Sequence, residues 1–118
     1  MNSNELKIRT KKFGISVIKM VGKLPKTDIT KVISYQILRS STSVGANYRA
    51  ACRAKSKADF IYKIKVVEEE ADETLYWLEI LKECELIKLE ILDPLIKEAD
   101  ELTAIFTATG KSLKNINS

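Results

Sequence analysis

No histidine occurs in the 118 residues of this chain. That absence removes the His-based nucleophile triads, zinc sites built on imidazole, and the Glu-x-x-His di-iron motif of ferritin-like bundles. Cysteine is limited to Cys52 and Cys84, a usage that suits a reducing compartment. Two prolines and four glycines leave few breaks in the chain, and no glycine-rich phosphate loop is present. No apolar run approaches the roughly 18–20 residues that a membrane span needs. Lys19 and Lys23 interrupt the one candidate signal-peptide segment. These absences predict a cytoplasmic, non-enzymatic protein with no cofactor, no metal, no membrane association and no small-molecule substrate.

What is present is helical periodicity. At this length the chain is a single domain, residues 1–118, with one core. Helix one is predicted over about residues 4–23, with Leu6, Phe13, Val17, Met20 and Leu24 at heptad-like spacing. The break is Leu24-Pro25-Lys26-Thr27, where Thr27 or Asp28 can cap helix two, about 28–54. Its inward stripe reads Ile29, Ile33, Ile37, Ser40, Val44, Asn47 and Ala51. The second half of that stripe is small or polar, which lets two helix axes approach closely. Ser56-Lys57-Ala58-Asp59 reads as a capping box with Asp in place of Glu. It opens helix three, about 56–84, with Phe60, Ile64, Val67, Ala71, Leu75, Leu78 and Leu81 inward. Leu86–Leu92 reads as a loop. Asp93-Pro94 then reads as N-cap and first helical position of helix four, about 93–114, with Leu95, Ala99, Leu102, Phe106, Thr109 and Leu113 inward. The fold class is therefore all-α, an antiparallel up-down-up-down four-helix bundle. Cys52 and Cys84 would flank helix three, roughly 45 Å apart. That is far beyond the ~7 Å reach of a disulfide, so both are expected to be inert packing thiols.

Charge is unevenly distributed. Residues 1–65 hold fifteen Lys/Arg against three Asp/Glu, net +12, whereas residues 66–102 hold three against thirteen, net −10. In an up-down bundle this becomes a dipole along the long axis. Lys7, Arg9, Lys11 and Lys12 of helix one are predicted to share one end with Arg49, Arg53, Lys55 and Lys57 around the two–three turn and with Lys111 and Lys114. Glu83, Glu85, Glu90, Asp93 and Glu98 gather at the other end. A clustered basic end suits phosphate binding, of RNA or DNA, and Tyr48 and Tyr62 lie close enough to stack on bases. Solubility alone is the plainer reading of the same charges.

Three further features point inward or sideways. Glu68–Glu73 is the only carboxylate cluster, and a solvated face with one or two ion pairs explains it better than a metal site. In a two–three hairpin turning near Lys55, Arg39 falls level with Ala71. A buried charge-assisted pair of Arg39 with Glu70 or Glu73 is therefore expected. The segment Thr74–Leu81 is apolar almost all round, which in a bundle implies contact with another subunit through Tyr76, Trp77 or Ile80.

The run Ser40-Ser41-Thr42-Ser43-Val44-Gly45-Ala46-Asn47-Tyr48-Arg49, with Asp59-Phe60 and Glu70-Ala71-Asp72-Glu73-Thr74-Leu75-Tyr76-Trp77-Leu78, resembles the small bacterial four helix bundle protein family. That family is named for proteins encoded in intervening sequences of large-subunit ribosomal RNA genes. It is similar in fold to the accessory variability protein of diversity-generating retroelements. The resemblance spans about residues 6–115. Some members carry an acid after the arginine, where this chain has Ala50. The resemblance implies a bundle assembling as a ring, a homopentamer, with no enzymatic activity. It also implies structural roles for Arg39, Asn47, Glu70 and Glu73, and a basic surface that holds RNA or DNA. The competing expectation is an adaptor bundle that binds protein partners and no nucleic acid.

Overall fold

The computed structural model describes residues 1–117 of the chain, with side chains through residue 113. Four helices follow one another: α1 (Ser3–Val21), α2 (Asp28–Ala51), α3 (Lys57–Glu83) and α4 (Leu89–Asn117). Consecutive helices pack on each other and α1 closes on α4, so the chain forms a bundle of 48 × 22 × 20 Å. Contacts running in opposite senses make the neighbours antiparallel. A side chain at Gly14 would meet Ser41, and one at Gly45 would meet Thr10 and Lys11. Between α3 and α4, Glu68 accepts from Thr107 and Lys82 lies 3.4 Å from Asp93.

The heptad stripes become the core. Phe13, Val17 and Met20 of α1 meet Ile37 and Val44 of α2, Ile64, Val67, Ala71, Leu78 and Leu81 of α3, and Leu92, Ala99, Leu102 and Phe106 of α4. Each fully buried aliphatic side chain contributes roughly 1.5–3 kcal/mol of transfer free energy. The small residues of α2 act where expected. At Gly45 a Cβ would stand 3.3 Å from the Lys11 amide nitrogen, so the close approach of the two backbones favours glycine here. Buried hydroxyls are satisfied locally: Thr74 bonds Ser40 at 2.9 Å across the α2–α3 seam, and Thr10 donates to the Leu6 carbonyl.

The helix ends follow local chemistry. Thr27 and Thr30 form a reciprocal capping box at the start of α2. Ser56 caps α3 by accepting from Asp59 N–H, whereas the Asp59 carboxylate reaches back one residue further, to Lys55 N–H. α3 ends in a Schellman-type turn: Leu86 N–H bonds the Leu81 carbonyl, with Glu85 in the left-handed region at φ 55°.

Three sequence expectations need correction. Helix four begins at Leu89 rather than Asp93, which puts Pro94 inside the helix. Leu92 is fully buried, and that burial extends the helix backwards through the expected loop. Pro94 withholds only the bond to the Glu90 carbonyl, so a single preceding turn bears the disruption. Ile29, assigned to the core stripe, is 67% exposed, because it stands on the outer side of the first turn of α2. Cys84 is exposed rather than packed, and Cys52 is half-buried; neither is in a disulfide.

Candidate nucleic-acid interface and the neighbouring faces

The eight cations singled out from the sequence separate into two groups. Lys7, Lys11, Arg49 and Arg53 line one groove of about 580 Å³ between α1 and α2, floored by Gly14, Gly45 and Ala46. The groove opens towards the α2–α3 turn, where Lys55 and Lys57 stand exposed. The six form one continuous basic strip. None of them takes part in an ion pair among the described residues.

Arg9 and Lys12 do not join that strip, which corrects the single basic end predicted for all eight. They lie on the other side of α1, where Arg9, Lys12 and Phe13 border a shallow hollow with Pro94, Leu95 and Glu98. Arg9 is committed to a fork with Glu98: Nε to Oε2 at 2.7 Å and Nη2 to Oε1 at 2.6 Å, with Glu101 at 3.8 Å. The hydrogen bonds to Glu98 raise the guanidinium pKa, and partial burial opposes them. Glu98 is thus an α1–α4 fastener and no member of an acidic end. Lys63 is similarly occupied, by Asp59 at 2.7 Å. Lys111 is exposed on α4, and the Lys114 side chain lies outside the described residues.

The two tyrosines offered for base stacking also differ. Tyr62 is 68% exposed. Tyr48 is buried against Phe106, ring centroids 5.5 Å apart, and burial followed by its bond with Cys52 pushes its pKa up to about 12. A ring held in the core cannot stack on a base.

Arg39 does meet both predicted carboxylates, Glu73 at 2.7 Å and Glu70 at 3.7 Å. The pair is not buried, however. Arg39 remains exposed, and its pKa rises mainly through the hydrogen bond it donates to Glu73 and the charge of Glu70. Glu73 also accepts from Trp77 Nε1 at 3.3 Å, so one carboxylate holds α2 and orients the indole. Glu70 is the inner member. Desolvation raises its pKa despite Arg39, and its Oε2 is buried without a hydrogen-bond partner. Asn47 donates to the Ser43 carbonyl within its own helix. Among the described residues no three Asp, Glu, Cys or His side chains converge as a metal site, and no helix is long and apolar enough to cross a membrane.

Residues 3–108 match the family described as 23S rRNA-intervening sequence protein. The chain belongs to that family. A solved structure similar to it is a protein with unknown function from the S23 ribosomal protein family of Bacteroides thetaiotaomicron. It has 36% sequence identity and a TM-score of 0.83, over 94% of this chain and 99% of that one. No curated protein matches the chain significantly. The family carries no defined activity with it, so function has to be argued from surfaces.

Two such surfaces in this family member are apolar. On α3, Tyr76 is 55% exposed and stands edge-on to Trp77, with Trp77 and Ile80 half-buried. Beside them on α2 stand Val32 and Tyr35, both exposed. They lie one and two turns before Arg39, as Tyr76 and Ile80 lie one and two turns beyond Glu73. The second surface is a stripe on α1, Ile8, Ile15 and Ile18, along the groove wall. The sequence reading missed Val32, Tyr35 and this stripe. The signal for the stripe was available: Ile8, Lys11, Ile15 and Ile18 repeat at spacings of three and four beside the core stripe, masked by the lysine within it.

Proposed function

We propose that this protein is a non-enzymatic, cytoplasmic, oligomeric helical bundle that binds nucleic acid through its basic strip. One observation carries the reading. Lys7, Arg49, Arg53, Lys55 and Lys57 are exposed on one continuous surface and have no acidic partner among the described residues, whereas Arg9, Lys63 and Arg39 are each matched to a carboxylate. Unmatched cations in a row attract a polyanion and release its counterions. The resemblance to ring-forming relatives supports a homopentamer. In a ring whose axis follows the helices, every copy would present its α2–α3 turn on the same face, and weak contacts to one strand would add through avidity.

The contacts available are to phosphate. Lysine and arginine on a helix flank position a backbone without reading bases, and Tyr62 is the one aromatic close to the strip that is free to stack. Binding should therefore be indifferent to sequence. Titration of labelled RNA and DNA with wild type and with an Arg53→Glu/Lys55→Glu/Lys57→Glu variant tests this. Wild type binds and the variant does not, while helix content and oligomer size are unchanged. Binding by neither moves the function to the adaptor reading, which the two apolar surfaces favour, and equal binding by both overturns the role of the strip.

A further inference from the structure

We infer that the α1 stripe of one copy docks on the α2–α3 apolar patch of the next, so the chain assembles head-to-tail through two different faces. The inference rests on the oligomeric reading above and names the surfaces that build it.

Exposed apolar residues come first. Ile15 and Ile18 on α1 and Tyr35 and Tyr76 on the patch are each 43–68% exposed. Contiguous apolar surface of this kind marks a contact site. Two such faces on one chain can each contact themselves, or they can contact each other.

Charge decides between those arrangements. Ile15 is flanked one turn away on either side by Lys11 and Lys19, whereas Tyr76 is flanked by Asp72 and Glu79; all four charges are exposed and none is in an ion pair among the described residues. Patch against patch would oppose acid to acid, and stripe against stripe lysine to lysine. Stripe against patch opposes lysines to acids, with Lys11–Ile15–Lys19 matching Asp72–Tyr76–Glu79 in order, each charge about one turn from its apolar centre. Both helices run the same way along the bundle, so the match holds for two parallel copies.

Height along the bundle agrees. Through α2, Ile15 is level with Thr74, because its neighbour Gly14 packs on Ser41 and Ser40 bonds Thr74. Through α4, it is level with Glu83, because Arg9 meets Glu98 and Lys82 meets Asp93. The two routes bracket Tyr76 and Ile80. Ile15 therefore lies within the height range of the patch, and copies can dock without a large shift along the axis. A head-to-tail contact without such a shift closes into a ring rather than extending as a filament. Lys11 is taken by Asp72 of the neighbour, and Lys7, Arg49, Arg53, Lys55 and Lys57 remain for the polyanion.

Two variants, Ile15→Asp/Ile18→Asp and Tyr35→Asp/Tyr76→Asp, change only exposed positions, and circular dichroism verifies that both keep native helix content. Light scattering coupled to size exclusion then reads mass. Wild type elutes as a multiple of 13.3 kDa, each variant alone as a monomer, and an equimolar mixture as a one-to-one dimer, because each partner contributes its one intact face. Lys11→Glu and Asp72→Lys each weaken the assembly, and the double swap restores it. A wild-type monomer overturns this inference together with the oligomeric reading. A wild-type oligomer that survives either variant, or a mixture in which the variants ignore each other, overturns the pairing and leaves the oligomer standing.

Discussion

The Arg9 guanidinium grips Glu98 through two parallel hydrogen bonds, joining α1 to α4 along the seam where the bundle packs most sparsely. Two charges with this geometry, each about three-quarters shielded from water, act as a fork that a lysine cannot reproduce. Arg9→Ala should destabilise the fold by about 1–2 kcal/mol, and Arg9→Lys should recover less than half of that. Urea unfolding curves provide the measurement. An Arg9→Ala protein as stable as wild type would reduce the fork to an incidental contact.

Glu70 is a liability at neutral pH. Its pKa is raised by desolvation, so the protonated form is the one the fold prefers. For a carboxyl shifted upwards, the favourable contribution is complete below the unfolded pKa and is lost as pH rises through the folded one. Glu70→Gln should therefore raise the thermal midpoint at pH 7, and the gain should shrink as pH falls into the carboxylate range. A gain that grows on acidification would show that Arg39, rather than burial, governs Glu70.

Much of this architecture is legible in the sequence. Leu6, Phe13, Val17, Met20 and Leu24 all prove buried, because a helix burying one stripe in the bundle interior must repeat its apolar residues near every 3.5. The errors share a different physics. Periodicity gives the angle of a residue around its helix, but neither its height nor which neighbour it faces. Periodicity therefore puts Arg9 at the end of the bundle, whereas it meets Glu98, and leaves Tyr48 to solvent, whereas it meets Phe106. Asp93-Pro94 has the chemistry of a helix start, yet burial of Leu92 outweighs it. The pairing of Arg39 with Glu70 or Glu73 is legible, since a hairpin fixes relative height there. Its exposure was not legible, because the pair sits at the outer edge of the seam.

Two glycines should respond in opposite directions. Gly45→Val sets a branched side chain against the α1 backbone, where a Cβ alone already meets Lys11 and Thr10 at 3.3 Å; a loss of about 1–3 kcal/mol is expected. Gly110 has nothing within 4 Å of such a Cβ, so Gly110→Ala should gain up to about 1 kcal/mol from helix propensity. Chemical denaturation of the two variants side by side checks both signs.

Glu85 occupies a left-handed position that glycine fills without strain. Glu85→Gly should stabilise the α3–α4 turn by about 0.5–1 kcal/mol, relief of backbone strain exceeding the added freedom of the unfolded chain. Calorimetric midpoints of the variant and wild type decide it, and a lower midpoint for Glu85→Gly would contradict the reading of the turn.

The salt dependence of nucleic-acid binding tests the central claim most directly. If Lys7, Arg49, Arg53, Lys55 and Lys57 meet phosphates, log affinity for duplex DNA should fall linearly with log salt between about 50 and 200 mM. The slope should approach −0.9 per phosphate engaged, hence −3 or steeper once several cations act together. RNA and DNA of unrelated sequence should bind alike, and Arg53→Glu/Lys55→Glu/Lys57→Glu should flatten the slope along with the affinity. Binding that ignores salt, or its absence at about 50 mM, would contradict the account.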